Sequence, residues 1–263
     1  MMRNPRIALF LASLFIAIEP HPAQAGSLLD GLAIDVKKGS REFVYTNKQS
    51  AFYYGETNGE NSSSWQGFNV QGYEFVDDYA LFVNGKPLAR SSVVRTVVYP
   101  DYMVRVYPNG ITETLSVAEG IAVFSVQVTA RTPVDLRVIP YFTDGRRTRD
   151  YDLKLTNATA LIARERHLQR SARENYPVWL AIYGKGFLPL SAEATKGVQF
   201  SPLLLFADKA RSHTLAFAVA DQPEQAEATV KQYEQLHTTR TNMLQRQVDK
   251  IEDLRTARGL PEE

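Results

Sequence analysis

The fold of this chain is decided by residues 92–129, which read SVVRTVVYPDYMVRVYPNGITETLSVAEGIAVFSVQVT. Apolar and polar residues alternate through most of this stretch, which is the period of a strand with one buried face. Three short turn signals interrupt the alternation, at 100–101, 108–110 and 119–120. Turns this short connect antiparallel neighbours, so the stretch predicts a β-meander of consecutive strands.

Further strand signals lie on both sides of the meander. Before it come 41–46, 51–54 and 79–83, the last followed by Asn84-Gly85, the dipeptide most typical of a tight hairpin. After it come candidate strands at 136–142, 152–155, 160–166, 178–183, 198–206 and 213–219. This number exceeds the roughly seven to nine strands of an immunoglobulin-like sandwich. We therefore predict a mainly β fold, a large antiparallel sandwich of two sheets, over residues 26–221.

The sequence period changes after Asp221. Pro223 suits the first turn of a helix, and the apolar residues that follow recur every three or four positions. They form one stripe along the predicted helix: Val230, Tyr233, Leu236, Leu244, Val248, Ile251 and Leu254. A helix over most of 222–263 would extend about 50 Å, more than is needed to cover one sandwich. We therefore expect a long linker helix that leads toward a further domain, absent or supplied by another chain.

Residues 1–25 have the parts of a secretory signal peptide. A basic start is followed by an apolar run over 7–18 and by Ala23-Gln24-Ala25, a small-x-small cleavage site. The run is shorter than the ~20 residues that span a bilayer, so a retained membrane anchor is the less favoured alternative. We predict cleavage after Ala25 and a secreted or periplasmic protein with no membrane association after signal cleavage.

Composition narrows the classes of partner. The chain has 30 Lys and Arg residues against 29 Asp and Glu, a formal net charge of +1. This balance removes the electrostatic basis for binding nucleic acid. The chain has no cysteine, so it folds without disulfides despite the predicted export, which a domain of this size can do.

Patterns for catalysis and for metal binding are weak. The three histidines after the signal peptide, His167, His213 and His237, have no metal-binding spacing, and we expect no metal and no cofactor. The carboxylates that could form acid–base pairs are Asp77 with Asp78, Asp150 with Asp152, and Glu113 with Glu119. Adjacent residues on a strand point to opposite faces, which argues against the first pair. We assign no catalytic residue.

The stretch 55–68 is the best candidate for a binding site. It is rich in Gly, Asn and Ser, which predicts a loop, and it directly follows two tyrosines. Sugars bind to aromatic faces, and amides and carboxylates take their hydroxyls. The candidate binding residues with these chemistries are Tyr53, Tyr54, Asn58, Glu60, Asn61 and Trp65. The alternative is an ordinary loop in which Trp65 packs on the rim of the sandwich.

Three segments resemble the N-terminal β-supersandwich of six-hairpin glycosidases. They are 79–88 (YALFVNGKPL), 97–102 (VVYPDY) and 107–115 (YPNGITETL). The relatives are glycogen-debranching, amylo-α-1,6-glucosidase-like and glucoamylase-like enzymes. The resemblance implies a galactose-mutarotase-like sandwich, then a linker helix, then an (α/α)6 barrel that carries the catalytic carboxylates.

The resemblance implies that this chain is a non-catalytic N-terminal domain of an exported glycoside hydrolase acting on α-glucan-type carbohydrate, as a truncated or split product. Because the chain lacks the barrel, no catalytic residue is carried over. One alternative is a free-standing exported carbohydrate-binding or assembly protein whose helix docks on a partner. Another is a self-sufficient enzyme on the same sandwich, which would need His and Glu side chains in its concave face.

Overall fold

The strands predicted over 92–129 form one antiparallel meander in the computed structural model of the protein. The structure describes residues 31–37, 39–62, 65–143, 152–165, 177–197 and 199–233. The predicted signal peptide and the part of the predicted helix after residue 233 lie outside these ranges.

The elements follow in chain order. The strands are β1 (Ile34–Val36), β2 (Glu42–Thr46), β3 (Ala51–Glu56), β4 (Gly67–Val70), β5 (Tyr73–Val76), β6 (Asp78–Val83), β7 (Lys86–Pro87), β8 (Arg95–Val98), β9 (Tyr102–Val106), β10 (Ile111–Val117), β11 (Val123–Thr143), β12 (Asp152–Leu155), β13 (Thr159–Glu165), β14 (Pro177–Tyr183), β15 (Phe187–Lys196) and β16 (Gln199–Ala220). Helix α1 spans 223–233.

The described strands make two antiparallel sheets. The large sheet has 12 strands, and its main path runs β1-β8-β9-β10-β11-β16-β14-β13-β12. Strand β15 pairs with β16, and the β6–β7 hairpin pairs with β11 through β6. The small sheet has four strands in the order β2-β3-β4-β5. The predicted fold class, a mainly β protein with two antiparallel sheets and a helix after them, is confirmed.

Two long strands unite the large sheet. β11 has 21 residues: its first part pairs with β10 and its second part with β6, and irregularities lie between Thr129 and Val134. β16 has 22 residues and follows β11 along most of its length. The separate strands predicted at 121–129 and 136–142 are therefore parts of β11. Those predicted at 198–206 and 213–219 are likewise parts of β16.

Phe124 is the centre of the core between the two sheets. Its ring is fully buried and stacks on Tyr53 of the small sheet at 4.4 Å between centroids, with Phe68 at 5.7 Å. From its own sheet, Phe217 contacts it at 5.3 Å and Tyr79 at 6.0 Å. Aromatic pairs at these separations add to the free energy of burial, so this cluster ties the small sheet to the large one.

Helix α1 covers part of the other face of the large sheet. Its residues Ala226, Val230 and Tyr233 are buried, as the predicted apolar stripe requires of Val230 and Tyr233. The sheet presents mostly small side chains to them, among them Ala181 and Ala218, which allow the helix to approach closely. Over the described residues, the structure contains no helix long and apolar enough to cross a membrane. The division into domains at residue 221 stays a prediction.

Candidate functional site

The candidate loop connects β3 to β4, and the structure separates the two tyrosines that precede it. Tyr53 points into the core, where its ring is fully buried against Phe124. Its hydroxyl accepts a hydrogen bond of 3.3 Å from Nδ2 of Asn61. The Tyr53 ring is therefore inaccessible to a ligand, and its hydroxyl binds Asn61 of the loop instead.

Tyr54 lies on the outer face of the small sheet. It is half-buried, and its cross-strand neighbours are Val44 on β2, which is exposed, and Gly67 on β4. Because Gly67 has no side chain, β4 contributes no bulk beside the Tyr54 ring. Of the two predicted tyrosines, Tyr54 is the one that adds apolar surface on the solvent side.

Trp65 is exposed and its backbone is unusual. The side chain is 57% exposed, which disagrees with a packed rim position, and its φ of 76° lies in the left-handed region that a bulky residue rarely adopts. The Trp65 carbonyl accepts a 3.0 Å hydrogen bond from Nδ2 of Asn69, a fully buried residue. The backbone that carries this exposed ring is therefore fixed from the core of the small sheet.

The two predicted asparagines bind the protein's own groups. Asn58 donates from Nδ2 to the carbonyl of Gly39 at 2.7 Å, and its Oδ1 accepts from the hydroxyl of Thr96. Asn61 donates from Nδ2 to the carbonyl of Asp77 at 2.7 Å. These amides hold the loop against neighbouring segments, and their hydrogen bonds go to the protein's own groups.

Arg105 reaches the loop from the core. It lies on β9 and is fully buried, yet its Nε donates to the carbonyl of Thr57 at 2.6 Å and its Nη2 to that of Glu56 at 2.7 Å. Its Nη1 pairs with Oε1 of Glu113 on β10 at 2.8 Å. One buried guanidinium thus joins the start of the loop to the middle of the large sheet.

Glu113 is held as a carboxylate. Burial alone would raise its pKa, but the Arg105 and Arg90 guanidiniums and hydrogen bonds from Tyr107 and Tyr79 bring the pKa of Glu113 below its usual value. The Tyr107 hydroxyl donates to Oε2 at 2.6 Å, and the Tyr79 hydroxyl donates to Oε1. A general acid needs the opposite shift, so this carboxylate is suited to holding cations and donors in place.

Arg90 makes a second buried anchor. Its Nη2 pairs with Oδ1 of buried Asp78 at 2.6 Å, and its guanidinium lies 4.7 Å from the centroid of the Tyr79 ring. Its Nη1 donates to the carbonyl of Gly59 in the loop at 3.5 Å. The loop therefore rests on two arginines, each neutralised by its own buried carboxylate.

Lys196 extends this network to the surface. Its Nζ lies 3.2 Å from Oδ2 of Asp78 and 2.9 Å from Oε2 of Glu60, the exposed carboxylate predicted to bind ligand. A cavity of about 110 Å³ lies beside the loop, and its charged and tyrosine lining residues are Glu60, Asp78, Arg90, Glu113, Lys196, Tyr79 and Tyr107. Among the described residues, no three metal-binding side chains come together.

Sequence reasoning did not identify Arg90, Arg105 or Lys196. A local signal existed for Arg105: it occupies an inward position of β9, between Met103 and Tyr107, which are also buried. Glu113 likewise interrupts the buried set of β10. A charge at a buried position of an alternating strand predicts a partner of opposite charge, but it does not tell which residue that partner is.

The chain matches solved structures of known proteins but no family model. No family model and no curated protein matches the chain. Among solved structures, it is similar to a family GH92 inverting mannosidase from Bacteroides thetaiotaomicron, with a TM-score of 0.44 and 13% identity over 70% of this chain. It is also similar to a putative kojibiose phosphorylase from the human microbiome, with a TM-score of 0.35 and 7% identity over 80% of this chain. The chain spans 29% of the length of each of these two proteins.

Proposed function

We propose that this chain is a non-catalytic β-sandwich domain of an exported glycoside hydrolase, one that acts on α-glucan-type carbohydrate through a separate (α/α)6 barrel. In this proposal the loop between β3 and β4 contacts the glucan. The function predicted from the sequence resemblance and the arrangement of the loop lead to the same class of ligand.

The observation that carries the proposal is the exposed ring of Trp65 on a loop that is fixed from the core. An exposed indole adds little to the stability of the fold, whereas the chain's other tryptophan, Trp179, is 8% exposed. Asn69 nevertheless holds the carbonyl of Trp65, and two buried arginines hold the start of the same loop at Thr57 and Gly59. An exposed aromatic on a backbone held in this way presents a stacking surface for a sugar ring at a reduced ordering cost on binding.

The non-catalytic part of the proposal rests on Asp78 and Glu113. Both carboxylates line the cavity beside the loop, where an acid–base pair would be sought. Both form salt bridges with cations of the protein itself: Glu113 with Arg105, and Asp78 with Arg90 and Lys196. Protonation of either carboxylate, which acid–base catalysis requires, would remove the ion pairs that position the loop.

Affinity electrophoresis in gels that contain soluble amylose or glycogen tests the proposal. We expect the chain without its signal peptide to be retarded. Its affinity for short maltooligosaccharides should be millimolar at best, since a single aromatic contact contributes only about 1 kcal/mol. Trp65→Ala should migrate as in a gel without glucan. Trp179→Phe is the matched control and should remain retarded, because Trp179 is buried beneath helix α1.

Two results would overturn the proposal. One is equal retardation of the wild-type protein and the Trp65→Ala variant, which would place any binding elsewhere. The other is hydrolysis of maltooligosaccharides, pullulan or trehalose by the purified chain alone, which would show a catalytic domain. A folded Trp65→Ala variant, verified by its melting temperature, is required for the first comparison.

A further inference from the structure

We infer that Lys196 is a positioning residue for the glucan-binding loop, holding the carboxylate of Glu60 in place from a buried anchor. This inference rests on the proposed function for its ligand, and on the geometry of β15 and the loop for its mechanism. Lys196 is the last residue of β15, on the strand that pairs with β16, far in sequence from the loop that it contacts.

The anchor of Lys196 is Asp78. This aspartate is fully buried and is itself fixed by the 2.6 Å pair with Arg90 and by the backbone N–H of Tyr79, which donates to Oδ1 at 2.8 Å. Its other oxygen, Oδ2, faces Nζ of Lys196 at 3.2 Å. The ammonium is therefore held by an anion that cannot shift without disturbing the core.

The same ammonium meets the loop on its outer side. Nζ lies 2.9 Å from Oε2 of Glu60 and 5.7 Å from the centroid of the Tyr141 ring. Burial would lower the pKa of Lys196, but Asp78 and Glu60 raise it above its usual value, so the amine is charged while both contacts exist. Lys196 is thus a cationic bridge between a fixed inner carboxylate and an exposed outer one.

The two contacts differ in their response to salt. Asp78 is shielded from solvent, whereas the Lys196 side chain is 31% exposed and the Glu60 side chain is 63% exposed. Salt screens the outer pair because the Debye length falls from about 10 Å at 0.1 M to about 3 Å at 1 M. Binding of a neutral glucan by stacking and hydrogen bonds has no such dependence of its own. A salt-dependent affinity for a neutral sugar would therefore report on the Lys196–Glu60 contact.

The test is a titration of the full chain without its signal peptide with maltohexaose at low and high salt. We expect the wild-type affinity to fall up to about 5-fold at high salt, the range of an exposed ion pair. Lys196→Met should bind about 2- to 5-fold more weakly at low salt and lose the salt dependence. Lys196→Arg should retain both the affinity and the salt dependence, because a guanidinium spans the same two carboxylates.

Amide hydrogen exchange of residues 57–62 gives a readout that does not require sugar. Lys196→Met and Glu60→Gln should both accelerate exchange there. Glu60→Gln removes only the Lys196–Glu60 ion pair and leaves the Lys196–Asp78 contact in place. If the wild type binds maltohexaose but Lys196→Met binds equally well with unchanged exchange, the inference is wrong and the proposed function stands. If exchange accelerates as expected but no variant and no wild-type sample binds sugar, the positioning role stands and the proposed function is wrong.

Discussion

Arg105 and Glu113 lie opposite each other on the adjacent strands β9 and β10, and their side chains form a salt bridge of 2.8 Å in which each is only 1% exposed. Taking two charges out of water is costly, and their mutual attraction offsets this cost only when their remaining hydrogen bonds are made. Two tyrosine hydroxyls donate hydrogen bonds to the Glu113 carboxylate, and the Arg105 guanidinium donates to two loop carbonyls. The pair thus connects the central sheet to the backbone of the candidate loop.

Removing the negative partner should strongly destabilise the fold. We expect Glu113→Gln to lower the free energy of unfolding by about 3–5 kcal/mol, because Arg105 would stay buried without its counter-charge. Urea denaturation followed by far-UV circular dichroism measures the change. The double variant Arg105→Met, Glu113→Leu serves as the control. It removes both charges and should recover part of the loss, because the carbonyls of Glu56 and Thr57 then lose the Arg105 donors. A loss below about 1 kcal/mol in the single variant would show that water compensates Arg105.

The same carboxylate should make stability depend on pH in acid. The pKa of Glu113 lies below its ordinary value of 4.5 in the folded state, so the folded protein binds the proton less readily than the unfolded chain does. Its contribution is therefore fully present above pH 4.5 and is lost as the pH falls through the lowered folded pKa. The difference in unfolding free energy between wild type and Glu113→Gln should therefore narrow as the pH falls below 4.5. A difference that stays constant down to the acid unfolding transition would contradict the lowered pKa.

Local sequence signals predicted the parts of the fold that depend on local chemistry. The Asn84-Gly85 signal is confirmed by a two-residue turn between β6 and β7, with φ of 49° and 76° at these residues. The break expected between 129 and 136 is instead an irregularity within β11, because Pro133 lies where the register shifts and needs no ladder partner. Strand β15 was not predicted, since Pro189 and a run of small and polar residues obscure its alternation.

The candidate site was predictable only in part. Turn chemistry and residue type placed Trp65 and Glu60 on a loop, and both are exposed there. The support beneath that loop was not predictable, because it joins residues distant in sequence: Arg105 and Thr57 are 48 positions apart, and Lys196 and Asp78 are 118 apart. Such pairings are set by the order of strands in the sheets, which strand periodicity does not reveal.

Gly67 should be among the least replaceable residues near the loop. Its φ is 126°, and an added Cβ would lie 2.2 Å from the carbonyl oxygen of Val76. We expect Gly67→Ala to lower the free energy of unfolding by about 3 kcal/mol or more, since backbone strain and a backbone clash add together. Thermal unfolding and urea titration of the purified variant measure this.

Gly72 provides the matched control for Gly67. It also has a positive φ, 79°, but a Cβ built there has nothing within 4 Å. Gly72→Ala should therefore cost only about 1–2 kcal/mol, the strain of a left-handed alanine without a clash. Equal losses in the two variants would show that β5, which carries Val76, shifts away from Gly67 at little cost. That would contradict the rigid support proposed for the Trp65 backbone.

A hydrogen bond in the largely apolar interface of helix α1 should contribute to the attachment of the helix. The hydroxyls of Tyr233 and Ser125 lie 2.6 Å apart, and Ser125 also lies 3.0 Å from the hydroxyl of Ser116. Tyr233→Phe keeps the buried ring and leaves Ser125 with the Ser116 contact. Its cost should therefore be about 0.5–1.5 kcal/mol, the net value of one hydrogen bond.

Val230→Ala removes buried methyl groups from the same helix and leaves this hydrogen bond in place, so it tests the apolar part of the interface separately. A double-mutant cycle of Tyr233→Phe with Ser125→Ala isolates the Tyr233–Ser125 hydrogen bond. A coupling energy near zero would show that the apolar contacts of Ala226, Val230 and the Tyr233 ring hold the helix without this hydrogen bond.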